Sequence, residues 1–321
     1  MAFDLDNSIY ASPSIREVIC DHVLNKTPTY GSHVLRGNPV RDAPAFQTAE
    51  RIPTQSVGTI CPGFWSVILD LILSLANQTF KSINMIDLHC HMLPGIDDGP
   101  KSLDISLAMA RYAVEHGIKR TVMTPHIQPG SYDNDVLIIQ TAYQAFKTAL
   151  QLEAIPLEIG MSAEVRVCAE LPLLIGQNKI PFLGQWRGMK VILLEFPHDH
   201  IPLGADKLIN WLLGKGILPL IAHPERNQTL MRHPGKIQPF LDLGCILQIT
   251  ADSITGLFGE QSQQCALFYI EQNLATIIAT DAHNLHKRQP SMQAARQFLL
   301  PSCGEAGVNR LMSDNPARIL A

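Results

Sequence analysis

Two histidines one residue apart, His89 and His91, close a short apolar run that begins at Met85. Alternate side chains of a strand share a face, so both imidazoles can meet one metal ion while Cys90 turns away. Gly95 and Gly99 allow the turns that carry Asp97 and Asp98 back toward the histidines. Imidazoles mixed with carboxylates suit manganese, iron or zinc. The same residue types recur where later apolar runs end: His126, Glu164, Glu195, His223, and the pair Asp281 and His283. One buried His or Glu at a strand end is commonly a satisfied core group. A whole series of them points to a metal site.

The elements that must position these residues follow from the hydrophobic pattern. Strands are predicted over 85–88, 120–124, 157–163, 190–194, 217–222, 245–250 and 275–280. Helices are predicted over 102–116, from Asp133 or Asn134 to 152, and over 204–215, 236–243, 261–272 and 291–300. Seven strands alternating with helices read as an α/β fold, a distorted (β/α)7 TIM-like barrel, with its chemistry at the carboxyl ends of the strands. Residues 1–84 read as a separate N-terminal extension. It is mostly irregular, with one amphipathic helix near 64–78 whose polar stripe is Ser66, Asp70, Ser74 and Gln78. The barrel is expected to occupy 85–321.

Composition narrows the function. The chain has 321 residues, 46% hydrophobic and 17% charged, with a formal net charge of -4. That balance carries no basic footprint for nucleic acid and disfavours a nuclease. The 7 cysteines are odd in number and lack a C-x-x-C pair, which reads as reduced thiols in a cytoplasmic protein. The first twenty residues hold Asp4, Asp6 and Glu17 and no secretory apolar core. The run over 64–76 falls short of the roughly 20 residues that a membrane-spanning helix needs. No Cys is followed by Arg at the six-residue offset of a thiol-dependent phosphatase loop, so a thiolate phosphoenzyme is not expected.

The motifs Asp87-Leu88-His89-Cys90-His91, Asp97-Asp98-Gly99-Pro100, Thr124-Pro125-His126, Ala163-Glu164, Leu194-Glu195, His223-Pro224-Glu225-Arg226, Asp281-Ala282-His283-Asn284 and Asp314-Asn315-Pro316 stand together from residue 85 onward. With them the chain resembles the PHP (polymerase and histidinol phosphatase) superfamily. More narrowly, it resembles the bacterial manganese-dependent protein-tyrosine phosphatases of capsule and exopolysaccharide clusters. The resemblance implies three ions per chain, Mn2+ foremost, with Fe or Zn as alternatives. One would take His89, His91, Glu164 and Asp281. A second would take Glu164, Glu195 and His223, and a third Asp98, His126 and His283. It implies that a metal-bridged hydroxide attacks phosphotyrosine in a bacterial tyrosine kinase that regulates polysaccharide synthesis, and that Arg226 and Arg288 contact the phosphate. A small metabolite such as histidinol phosphate is the alternative substrate, and a metal-binding scaffold that docks the kinase is the non-enzymatic one. A homo-oligomer is compatible with either. Relatives often carry a basic residue just after the equivalent of His126, where this chain has Ile127, Gln128 and Pro129. Glu225 and Asp97 are the unassigned carboxylates to consider as a general acid. His198, Asp199 and His200 read as a solvated loop.

Overall fold

The structure, a computed structural model, describes residues 84–321. Apart from Asn84, the extension and its expected 64–78 helix lie outside the described residues. Among the described residues ten strands form: β1 (Met85–Cys90), β2 (Ile118–Met123), β3 (His126–Ile127), β4 (Glu158–Met161), β5 (Glu164–Arg166), β6 (Gly184–Trp186), β7 (Met189–Glu195), β8 (Ile217–Ala222), β9 (Ile246–Thr250) and β10 (Ala275–Ala279). The main helices are α1 (Leu103–Glu115), α2 (Val136–Leu152), α3 (Leu171–Gly176), α4 (Ala205–Gly214), α5 (Gln228–Arg232), α6 (Gln238–Asp242), α7 (Ala251–Ile254), α8 (Glu260–Glu271), α9 (Gln293–Asn309) and α10 (Asn315–Ile319).

Parallel pairing runs β1-β2-β4 in one sheet and β3-β5-β7-β8-β9-β10 in the other. The two sheets are one ring. Only Thr124 and Pro125 separate β2 from β3, and only Ser162 and Ala163 separate β4 from β5. Pro125 has no N–H to give to a ladder, so the strand breaks there. The first half of each broken strand pairs toward β1, and the second half pairs toward β7. The ring closes where β10 meets β1. The amide of His91 donates to Ala282 O at 2.8 Å, and the amide of Asp281 donates to His89 O at 2.8 Å. Asp87 adds to the seam by accepting from the amide and the hydroxyl of Thr280, at 2.9 and 2.5 Å. Counted as staves, the ring has the seven strands expected.

Leu88, Val122, Val191, Leu193, Leu218, Leu220, Ile246 and Ile277 pack together with Ile319 of α10. They come from strands all round the ring, so this cluster fills the barrel. A larger cluster seats the helices on the outside. Among the described residues, no helix is long and apolar enough to cross a membrane.

Local differences from expectation have local causes. The cap of α2 is Asp135, whose side chain accepts from the amides of Leu137 and Ile138. Asn134 is occupied elsewhere: its side-chain amide donates to Ile96 O and His126 O and pins the loop before α2. β6 is an unexpected antiparallel partner of β7, turning through Arg187 and Gly188. The last core helix runs past residue 300, but Gly304, at φ 64°, breaks its regularity.

Candidate metal centre

The carboxyl ends of β1, β2, β4, β7, β8 and β10, with the first residues of β3 and β5, meet at one mouth of the barrel. His89 and His91 share a face, as the strand spacing requires, and their Nε2 atoms lie 3.2 Å apart. Cys90 points into the wall, where its thiol meets Thr121 Oγ1 at 3.1 Å. Gly95, at φ +75°, turns the chain back. At Gly99 the backbone passes so close to His91 that a Cβ would lie 2.2 Å from its carbonyl oxygen. That approach brings Asp97 Oδ2 to 2.7 Å from His91 Nδ1, and Asp98 Oδ1 to 3.1 Å from His283 Nε2.

Glu164 is the centre of the cluster. Its Oε2 lies 3.2 Å from His89 Nε2, His91 Nε2 and His126 Nδ1, and its Oε1 lies 2.7 Å from His223 Nε2. Three groups place ligand atoms within 4.8 Å of one another: His89, Glu164, His223 and Asp281; His91, Asp98, His126 and His283; and His126, Glu164 and Glu195. All nine expected ligands fall in these groups. His91 stands between two of them: it groups with Asp98, His126 and His283, and its Nε2 also lies 3.2 Å from Glu164 Oε2 and 3.4 Å from Asp281 Oδ1, beside His89.

The ring nitrogens are oriented for coordination. Gln248 of β9 accepts from the amide of His223 at 3.2 Å through Oε1, and the same oxygen lies 2.9 Å from His89 Nδ1. His89 therefore carries its proton on Nδ1 and leaves Nε2 free. His283 Nδ1 likewise donates to Asp281 O at 2.9 Å. Such outer partners fix the tautomer of a ligating imidazole. Burial pushes His126 down to about 4, and burial helped by the Arg226 charge does the same for His223. Both are neutral and able to ligate at neutral pH. Burial works against ionisation of Glu164, but His89, His126 and His223 outweigh it and hold its carboxyl well below the usual range. Burial and the charge of Glu164 push Glu195 up.

The donor set fits cations on an observation independent of residue type. Five buried atoms in the cluster have no hydrogen-bond partner: His126 Nδ1, Glu164 Oε2, Glu195 Oε2, Asp281 Oδ1 and His283 Nε2. Each unsatisfied buried polar group costs about 1–3 kcal/mol, and more when charged. Bound cations would satisfy all five and offset the crowded carboxylates.

Arg226 and Arg288 stand at the edge of the cluster, 18% and 22% exposed, and both donate to Asp281 Oδ2. Arg226 also lies over the Phe258 ring, 4.5 Å from its centroid. The His198, Asp199 and His200 loop is exposed, as expected. Two residues escaped the sequence reading. Arg166 Nε lies 2.8 Å from Glu195 Oε2, and Gln248 orients two ligand segments. Period-two spacing was the available signal: Arg166 is two residues beyond Glu164, and Gln248 is a lone polar residue inside an apolar strand.

Comparison with known proteins agrees with this geometry. A family model described as "Capsular polysaccharide synthesis, CpsB/CapC" matches residues 85–321. The tyrosine-protein phosphatase YwqE of Bacillus subtilis is 37% identical over 215 residues, which are 67% of this chain and 84% of that protein. The tyrosine-protein phosphatase CpsB of Streptococcus pneumoniae is 28% identical over 241 residues, 74% of this chain and 98% of its own. A crystal structure from a study of YwqE and CpsB, described there as unique metal-dependent tyrosine phosphatases, superposes with a TM-score of 0.65 at 35% identity. It covers 73% of this chain and 91% of its own.

Proposed function

Because the chain belongs to the CpsB/CapC family of capsular polysaccharide synthesis, we propose that it is a cytoplasmic, metal-dependent protein-tyrosine phosphatase. Its substrate is phosphotyrosine in a bacterial tyrosine kinase that controls capsule or exopolysaccharide synthesis. The observation that carries the proposal is the convergence of nine ligand-type side chains, five of their buried atoms unpartnered, beside two arginines at one barrel mouth.

The nine ligands would hold up to three divalent cations, Mn2+ foremost, with Fe or Zn as alternatives; Glu164 is shared between two of the groups and His126 between two. Bound there, such cations acidify water and stabilise negative charge on phosphoryl and leaving oxygens. The protein's own side chains supply the rest. Neutral His126 and His223 present lone pairs inward. Gln248 and Asp97 hold the rings of His89 and His91 in orientation. Arg226 and Arg288 offer planar forks suited to phosphate oxygens, with Asp281 keeping both at the edge of the cluster until substrate arrives. Phe258 beneath Arg226 limits where that guanidinium can swing.

A phenol, with a pKa near 10, leaves more readily than an aliphatic alcohol, which favours phosphotyrosine over phosphoserine and phosphothreonine. The test is kcat/KM on matched peptides carrying each phosphoresidue, alongside histidinol phosphate, with manganese saturating. Preference for the phosphotyrosine peptide is expected. A clear preference for histidinol phosphate would move the assignment to small-molecule hydrolysis.

A further inference from the structure

Asp252 is a carboxylate that none of the roles above uses. It is the second residue of α7, which starts where β9 ends. The order β10-β9-β8 places the end of β9 between two loops. One carries His223 and Arg226, and the other carries Asp281 and Arg288. The placement is fixed from both sides of Asp252. The amide of Thr250 donates to Glu225 Oε1 at 3.0 Å, and the hydroxyl of Ser253 donates to the same oxygen at 2.7 Å. These bonds clamp α7 onto the segment that ends in Arg226. Asp252 is half-buried, and its Oδ2 is sealed from water with no hydrogen-bond partner. Among the described residues it forms no ion pair, so it is not a tether for either arginine.

We infer that Asp252 is the proton donor to the leaving oxygen when the phosphoester bond breaks. The inference rests on the phosphatase reading above. The two carboxylates suggested by sequence are both committed elsewhere. Glu225 is wholly buried, closed off from any leaving oxygen; Thr250 and Ser253 donate to its Oε1, and its Oε2 has no partner. Asp97 accepts from the amides of Gly99 and His126 and pairs with His91, which holds it ionised despite its burial. The loops that carry Arg226 and Arg288 flank α7 on its two sides, so Asp252 lies on the segment between the two arginines proposed above to contact phosphate. The charges acting on it are those of Arg288, Asp281 and Arg226. Burial prevails over the arginines and pushes its carboxyl up to about 6, which keeps a protonated fraction near neutrality.

The step balances. Water forms the new bond to phosphorus and gives up a proton. The bond from phosphorus to the tyrosyl oxygen breaks, and its electron pair stays on that oxygen, which takes the proton of Asp252. The Asp252 carboxylate regains a proton from solvent, leaving tyrosine and inorganic phosphate.

A proton donor matters most when the leaving group is a weak acid, and that sets the test. Manganese-loaded wild-type protein, Asp252→Asn and Asp252→Glu are compared on a phosphotyrosine peptide and on 4-nitrophenyl phosphate, whose phenol is far more acidic. Metal content and Tm are measured for each. Asp252→Asn is expected to lose about 100-fold or more in kcat on the peptide and less than about threefold on the nitrophenyl ester, with metal content intact. Asp252→Glu, which retains a carboxyl, is expected to recover part of the peptide rate and provides the comparison should the amide variant fold poorly. Equal losses on the two esters, or no loss on either, would overturn the role. Wild-type protein inactive on every aryl ester would overturn the phosphatase reading, and this one with it.

Discussion

Replacing Glu164 by Gln tests the centre of the site. The substitution keeps the shape of the side chain and removes the charge that faces His89, His91, His126 and His223. Losing an outer-shell partner of a metal ligand already costs about 10–100-fold in affinity. A carboxylate shared between two groups should take at least the upper value. At free manganese about 1,000-fold above Kd, binding stabilises the fold by about 4.1 kcal/mol, and a 100-fold weaker site retains about 1.4. The difference, about 2.7 kcal/mol, corresponds to about 5–11 °C in Tm for a domain of this size, at about 2–4 °C per kcal/mol. The assay is thermal unfolding of wild type and Glu164→Gln, each with manganese and with EDTA, with elemental analysis before melting. The gap should open with manganese and nearly close with EDTA. Wild type should hold more than one ion per chain, and the variant fewer. An equal gap in both conditions would make Glu164 an ordinary buried polar group, and an unchanged manganese response would remove it from the ligand set.

Arg226→Ala and Arg288→Ala should each lower kcat/KM on a phosphotyrosine peptide by about ten-fold to a hundred-fold, from the roughly 1.5–3 kcal/mol of a charge-assisted hydrogen bond. Each should keep its metal, because the other arginine still holds Asp281; full activity in both variants would make them surface charges. Gly99→Ala should lower Tm by several degrees and release Asp98 from His283, since a Cβ would lie 2.2 Å from the His91 carbonyl and overpacking costs about 1–3 kcal/mol. An unaltered Tm together with unaltered metal content would show that this approach relaxes freely. A chain beginning at Met85 should remain soluble and active, because β1 and its seam partners are all contained in it; aggregation or loss of metal would show that the extension packs on the barrel.

How much of this was legible in the sequence depended on the kind of signal. His89, His91, His126, Glu164, Glu195, His223, Asp281 and His283 were visible because each ends or follows an apolar run. In a parallel barrel all such ends face one side. Asp98 was visible through the glycines around it. The grouping of ligands around each ion came only from the family resemblance, because sequence spacing fixes a face and not the distances between the ends of different strands. The meeting of Arg226 and Arg288 on one oxygen of Asp281 was equally hidden, since the three come from loops after different strands. The expected strands over 120–124 and 157–163 stopped short of β3 and β5, because segments of two and three residues are too short to carry a period of their own.

Cys90 sits between two candidate ligands, yet its thiol is fully buried. Burial, aided by the charge of Asp87, pushes it well above the range in which a thiolate forms. Phosphatases that attack through cysteine need that thiolate, and the same anion is what peroxide converts to sulfenic acid. Here the side chains around the reaction are imidazole, carboxylate and guanidinium, and the sulfur is walled off behind β1 with Thr121. Alkylating agents and peroxide therefore find no nucleophilic sulfur at the centre. An oxidant that silences a thiol-dependent phosphatase by oxidising its thiolate finds no such anion to attack here.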